Sequence, residues 1–209
     1  MITQKLADYL LFKQVFELIK NKEHLTVEGL KKIVAIKASV NKGLPSELKE
    51  VYPDVEPVKR CSVENKEIPD PNWLVGFTSG EGCFAVRVFG STHHQTGYQV
   101  QLRFQITQQD RDLELMESII KYLNCGVISK RGDVVDFHVT KFTDITEKII
   151  PFFAKYPILG VKKANYEDFC KVAELMKEKA HLTEEGLEQI RKIKDGMNSH
   201  REEEGSVES

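Results

Sequence analysis

The chain has 209 residues, of which 41% are hydrophobic and 30% charged, a composition typical of a folded protein with one or two domains. Its net charge of −2 argues against nucleic-acid binding through bulk positive charge, although a local polar or basic face can coexist with a neutral total. No run of 18 apolar residues predicts a membrane span, and four cysteines without a CxxC pair predict neither a disulfide framework nor a zinc site.

The helical sequence at residues 5–41 recurs later in the chain. When it is aligned with residues 162–198 at a fixed offset of 157, 19 of 37 positions are identical. Each copy predicts two helices, because apolar residues recur at helical spacing and Thr183 is a good N-cap for the second helix of the later copy. The agreement indicates a duplicated structural unit.

The sequence between the two copies has two parts. Residues 43–70 hold four prolines and no apolar period, which predicts a linker, and strand-like sequence follows it. We therefore predict the C-terminal helical part of a first repeat at 1–44, a linker at 45–70, a complete unit at 71–200 and a disordered acidic tail at 201–209.

The segment WLVGFTSGEGCF at 73–84 is an apolar, glycine-rich run that ends in a lone acid, Glu81. Alternation over 83–89 then predicts a strand with one apolar face. The opposite face of that strand carries Cys83, Ala85, Arg87 and Phe89. The run thus predicts a helix that carries one carboxylate to the start of a strand.

A second strand, YQVQLRFQITQ at 98–108, alternates without interruption. Its apolar face starts at Tyr98, and the other face carries Gln99, Gln101, Arg103, Gln105 and Thr107. Glutamine presents the donor and acceptor that match adenine N6 and N7, and arginine matches guanine O6 and N7. A β-ribbon with such groups fits the DNA major groove. An ordinary solvated face is the alternative interpretation.

The sequence that follows predicts a helix, a hairpin and another helix before the second copy. The hairpin turns at 131–133, and in its second strand Asp136 and His138 alternate with apolar residues. The complete order is helix, two strands, helix, two strands and further helices. It predicts an α+β unit whose sheet is covered on one face.

These features together resemble the LAGLIDADG homing endonucleases, in particular the two-repeat enzymes encoded in fungal mitochondrial introns. The resemblance is carried by WLVGFTSGEGCF at 73–84, FQITQQD at 104–110, PILGVKKANYEDF at 157–169, and HLTEEGL with its earlier copy HLTVEGL. It implies a motif helix, a four-stranded antiparallel DNA-binding sheet and packed helices, with one full unit plus the C-terminal helices of another.

The resemblance also implies roles for individual residues. Glu81 would bind a divalent cation, usually Mg²⁺, at the scissile phosphates, with Gly80 as a further ligand, and Gln108 and Lys162 would complete the catalytic set. Gly76 and Ser79 would let two motif helices pack closely. The residues implied to contact double-stranded DNA are Cys83, Ala85, Arg87, Phe89, Gln99, Gln101, Arg103, Gln105, Asp136 and His138.

A two-repeat enzyme of this kind has one acid from each of two motifs, whereas this sequence contains one motif and one such acid. Three situations fit: a truncated or misannotated reading frame, one piece of a split enzyme, or a chain that pairs with itself. We expect a site-specific, metal-dependent DNA endonuclease that needs a second motif-bearing unit. The alternatives are an intron-splicing cofactor (maturase), an inactive DNA-binding remnant, or a helical interaction module. A mitochondrial location is implied by the family alone.

Overall fold

The computed structural model describes residues 5–41, 43–61 and 67–198, which divide into two compact units on either side of the boundary between Lys66 and Glu67. The acidic tail at 201–209, predicted to be disordered, lies outside the described residues. None of the helices in the described ranges is long and apolar enough to cross a membrane. Each unit is described by itself below.

The first unit consists of helices and an irregular segment. Its helices are α1 (Lys5–Lys20), α2 (Val27–Ala38) and α3 (Ser46–Val51). The segment predicted as a linker is therefore partly helical and belongs to the first unit up to its boundary. Contacts with the helices explain this, because Ser39 Oγ donates to the Val58 carbonyl at 2.6 Å and Arg60 pairs with Asp8 at 3.0 Å.

The second unit contains a sheet with helices before, within and after it. Its elements are α4 (Pro71–Glu81), β1 (Gly82–Gly90), β2 (Tyr98–Gln109), α5 (Leu113–Leu123), β3 (Val127–Arg131), β4 (Val134–Val139), α6 (Phe142–Asp144), α7 (Ile150–Lys155), α8 (Val161–Lys177) and α9 (Glu184–Asp195). A π-helical turn, Ile145–Ile149, separates α6 from α7. The hydrogen-bonding period changes there next to Pro151, which has no N–H to donate.

The four strands form one antiparallel sheet, as predicted, and the structure shows their order to be β1-β2-β4-β3. The core lies on one face, where the Phe84 ring is 5.1 Å from Phe104 and 5.4 Å from both Phe153 and Phe169. Tyr98, predicted on the apolar face, is instead 41% exposed, and Arg191 lies over its ring at 4.3 Å. The predicted α+β unit with one covered sheet face is thus confirmed.

The internal repeat extends from sequence to structure. In the second unit α8 and α9 are separated by a 3₁₀ turn and Thr183 caps α9 by accepting from the Gly186 N–H at 3.1 Å. In the first unit α1 and α2 have the same intervening turn, and Thr26 accepts from the Gly29 N–H at 3.0 Å. The predicted Thr183 cap is confirmed, and equivalent residues of the two copies can be compared directly.

Gly82 permits the tight passage from α4 into β1. A Cβ atom at this position would lie 2.5 Å from Thr78 Cγ2 and 2.7 Å from the Thr78 carbonyl oxygen. We expect Gly82→Ala to lower the free energy of unfolding of the second unit by about 1–3 kcal/mol, because its methyl group overpacks the site. Urea unfolding followed by the fluorescence of Trp73, the one tryptophan in the sequence, measures this.

Gly76→Ala is the matched control for Gly82→Ala. Nothing lies within 4 Å of a Cβ built at Gly76, and alanine favours a helix interior over glycine by about 1 kcal/mol. This control should leave stability unchanged or slightly raised. Equal losses for the two variants would contradict the steric explanation.

Candidate nucleic-acid interface

The motif helix α4 ends at Glu81, where the sheet begins. Asp70 caps its start by accepting from the Trp73 N–H at 3.0 Å, and the Gly82 N–H bonds to the Thr78 carbonyl at its end. The Glu81 side chain is exposed at this junction. The helix thus places one carboxylate beside the first strand, as predicted.

Lys162, at the start of α8, binds the end of the motif helix. Its Nζ donates to the Gly80 carbonyl at 2.9 Å and to the Thr78 carbonyl at 3.2 Å, so a positive charge lies at the negative end of the α4 dipole. Burial lowers the pKa of the Lys162 ammonium, and the neighbouring Cys83 and Glu81 side chains oppose that shift. The structure therefore brings Gly80, Glu81 and Lys162 together.

Gln108 has a different position from the other predicted catalytic residues. Side chains of β2 point alternately to the two faces of the sheet, so Gln108 lies on the core face with Ile106, and the predicted DNA-contacting residues of β2 lie on the other face. The pairing of Gly82 with Ile106 places Gln108 two residues beyond that pair, at the end of the sheet nearest α4. Its catalytic role stays a prediction.

Oxygen atoms at the end of α4 suit a hard divalent cation, but they are few. The Glu81 carboxylate is one donor and the Gly80 carbonyl, which already accepts from Lys162, is another. Mg²⁺ and Ca²⁺ require about six or more oxygen ligands. Within the described residues, no group of three or more His, Cys, Asp or Glu side chains is placed to hold a metal. The chemistry fits a cation whose other ligands come from outside this chain.

The ten residues predicted to contact DNA lie on the sheet face opposite the core. The register places Cys83 beside Gln105 and Gln105 beside His138, and it places Arg87 beside Gln101. The rest of the set on this polar face comprises Ala85, Phe89, Gln99, Arg103 and Asp136. The alternation read from sequence therefore identifies which side chains share the face, and their contacts with DNA stay predictions.

Asp136 differs from the rest of the polar face because it is buried. Only 2% of the residue is exposed, and its carboxylate accepts from Thr107 at 2.6 Å, from Gln105 at 2.9 Å and from Arg131 at 2.7 Å. Burial alone would raise the pKa of Asp136, but these hydrogen bonds and the Arg131 charge outweigh it and lower the pKa. The carboxylate predicted to contact bases is thus occupied by partners within the protein.

Arg131 is the polar-face residue that the sequence interpretation missed. It ends β3, pairs with Val134 across the hairpin, and shares a face with Asp136. The signal was present in the short hairpin, where a basic and an acidic residue of opposite strands fall on the same face. From the sequence alone, an arginine and an aspartate on this face could equally bind each other or contact bases. The strand register is needed to show that they bind each other.

His138 should titrate below the ordinary histidine value of 6.5. Burial lowers its pKa, the charge of Arg103 lowers it further, and Asp136 opposes both. Because the unfolded chain then binds the proton more tightly, stability should fall as the pH drops through about 6.5. NMR titration of the imidazole measures this pKa, and Arg103→Met should raise it. A midpoint above 6.5 in the unmodified chain would contradict the assignment.

The exposed stripe of α4 is made of small residues. Gly76 and Gly80, four residues apart, have nothing within 4 Å of a built Cβ, so a second helix can approach the backbone there. Ser79 Oγ donates to the Val75 carbonyl at 2.9 Å, which removes its hydroxyl donor from the surface. Gly80 is therefore a further candidate for close helix packing, in addition to the predicted contact residues Gly76 and Ser79.

The family model described as LAGLIDADG endonuclease matches residues 74–173. Two curated relatives are from Neurospora crassa. "Probable intron-encoded endonuclease 3" is 47% identical over 91% of this chain and 36% of its own length. "Probable intron-encoded endonuclease 2" is 41% identical over 94% of this chain and 45% of its own length. The chain therefore spans less than half the length of these curated relatives.

A solved structure, the I-SmaMI LAGLIDADG homing endonuclease bound to cleaved DNA, is 53% identical, with a TM-score of 0.94. The match covers 96% of this chain and 68% of that chain. Another structure of I-SmaMI, bound to an uncleaved DNA target in the presence of calcium ions, has a TM-score of 0.93. At this identity both fold and family are shared.

Proposed function

Since the chain belongs to the LAGLIDADG homing endonuclease family, we propose that it forms part of a site-specific DNA endonuclease that hydrolyses phosphodiester bonds in a long double-stranded target. The single observation that supports this most strongly is the exposed Glu81 carboxylate at the end of α4, with the Lys162 ammonium bound to the same helix end. A protein that only bound nucleic acid would not need an acid there.

Glu81 and the Gly80 carbonyl would hold a divalent cation, for which we propose Mg²⁺. Such an ion activates water and stabilises the leaving oxygen of a phosphodiester. Lys162 holds the end of α4 in place through two carbonyl oxygens and keeps positive charge where phosphate charge accumulates. In this proposal the chain's own contribution is to position one carboxylate and one ammonium at the edge of the polar face.

The polar face is proposed to lie in the major groove of the target. It offers amides from Gln99 and Gln101 and guanidinium groups from Arg87 and Arg103, all on alternate positions of paired strands. A twisted antiparallel ribbon fits that groove, and these groups match base edges there. The face supplies a local basic and amide-rich surface in a chain whose net charge is −2.

We propose that a second motif-bearing unit completes the protein, either in a longer chain or as a separate one. In the sheet-containing unit of this chain, Phe169 of α8 is fully buried against the sheet. The equivalent α1 residue, Phe12, is 65% exposed, and three further large side chains on that helix are at least 49% exposed: Tyr9, Phe16 and Ile19. This apolar stripe matches the sheet of another such unit, and the glycine stripe of α4 matches another motif helix.

The test supplies this chain with the part of I-SmaMI that the match leaves uncovered, and presents DNA spanning the intron-insertion site. We expect Mg²⁺-dependent double-strand cleavage when both parts are present and none from either part alone. Failure to bind or cleave any DNA would overturn the proposal. Splicing of the host intron without DNA cleavage would instead support the maturase alternative. A mitochondrial location, proposed from the family, is tested by organelle fractionation.

A further inference from the structure

A continuous set of hydrogen bonds crosses three strands of the polar face. Arg103 Nε donates to Gln105 Oε1 at 2.7 Å, and Gln105 Nε2 donates to Asp136 Oδ1 and to Thr107 Oγ1, both at 2.9 Å. Thr107 Oγ1 donates to the same Asp136 oxygen at 2.6 Å. Arg131 binds the other oxygen, Oδ2, through Nε at 2.9 Å and Nη2 at 2.7 Å. Asp136 is thus the centre of the network.

The network removes Gln105 and Asp136 from the set of free base-contacting groups. Both N–H bonds of the Gln105 amide are committed, so the donor that adenine N7 requires is used within the protein. Asp136 is 2% exposed and accepts from three side chains. A cytosine N4 group would have to displace one of these partners to reach it.

The two arginines at the ends of the network keep free donors. Arg103 uses only its Nε, which leaves both terminal nitrogens. Arg131 uses Nε and one N–H of Nη2, which leaves Nη1 and the outer N–H of Nη2 as a two-donor edge. The Arg131 side chain is 68% exposed, so this edge faces solvent while the inner edge is fixed. Fixing the guanidinium beforehand reduces the entropy lost on binding.

Resting on the proposed function, we propose that Arg131 determines specificity by donating to guanine O6 and N7, and that Asp136 is a positioning residue that orients it. Gln105, which is itself bound to Asp136, orients Arg103 in the same way by accepting from its Nε. A guanidinium with two free parallel donors matches the acceptor pair of guanine, whereas it has no acceptor for the amino groups of adenine or cytosine. Asp136 therefore acts on recognition through its neighbours, without touching DNA.

The experiment selects binding sites for the full chain from a randomised double-stranded DNA library, with Ca²⁺ as the cation. We expect one position at which guanine is preferred about 10-fold or more, and Arg131→Met should abolish that preference because methionine has no N–H to donate to guanine O6 and N7. Asp136→Asn should weaken the same preference without weakening binding to unrelated DNA. The control, Lys130→Gln, removes a positive charge from the opposite side of β3 and should leave the selected sequence unchanged.

The outcomes separate this inference from the proposed function. If Arg131→Met leaves the selected sequence intact, the inference is overturned. If Arg131→Met weakens binding equally for all sequences and lowers the salt dependence, Arg131 contacts phosphate and the inference is likewise overturned. If neither the unmodified chain nor the chain combined with its completing part selects a sequence, the proposed function fails and the inference with it. Trp73 fluorescence verifies that each variant is folded, and Arg131→Met tests the inference even if Asp136→Asn unfolds.

Discussion

Replacement of Glu81 by glutamine should abolish DNA cleavage by the completed enzyme while leaving DNA binding nearly unchanged. Glutamine preserves the size of the side chain but removes the charge that is proposed to hold a divalent cation at the end of α4. Loss of several kcal/mol of charge stabilisation in the transition state corresponds to a fall in cleavage rate of at least about 100-fold. Single-turnover cleavage and a parallel binding assay in Ca²⁺ separate the two effects.

Glu188→Gln is the matched control for Glu81→Gln. Glu188 is an exposed glutamate on α9 of the same unit, so its variant makes the same change in net charge. It should cleave at the unmodified rate. If Glu81→Gln retains the full cleavage rate, Glu81 is not the metal-binding acid and the endonuclease proposal loses its main support. If both variants lose binding, a general electrostatic effect explains the result.

The strand pattern could be predicted because it is local. Alternation in β1 and β2 places each side chain on one of two faces, and the structure keeps every predicted polar-face residue on a single face. The start of α9 could also be predicted from local sequence, since the Thr183 hydroxyl accepts from the N–H of Gly186, only three residues away. These features follow from backbone periodicity and short-range hydrogen bonds, which are properties of the sequence itself.

The state of Asp136 could not be predicted in the same way. Its burial depends on Thr107 from β2 and Arg131 from β3, which meet it only when three strands pair in one register. The contacts of the segment after residue 44 could not be predicted for a related reason, because Ser39 and Arg60 join it to residues that are distant in sequence. The prolines of this segment indicate irregular backbone, but the sequence does not show which distant residues the segment contacts.

The duplicated helices provide a test of the proposed second unit. Phe169 and Phe12 occupy equivalent positions in the two copies, yet Phe169 is fully buried and Phe12 is 65% exposed. Phe169→Ala should cost about 3–5 kcal/mol of local stability, because it leaves a cavity beside Phe84. Phe12→Ala should change the stability of α1 by only about 0.5 kcal/mol in the chain alone. Hydrogen exchange measured by mass spectrometry reports on α8 and α1 separately.

The same pair should behave differently once the completing unit is present. If another sheet covers α1, Phe12 becomes a buried contact and Phe12→Ala should weaken association with that unit by roughly tenfold or more. Lys13→Ala, a truncation of the neighbouring exposed side chain, serves as the control and should associate normally. An association constant that Phe12→Ala leaves unchanged would show that the apolar stripe of α1 is not the surface on which the second unit packs, because a fully covered aromatic side chain cannot be removed without cost.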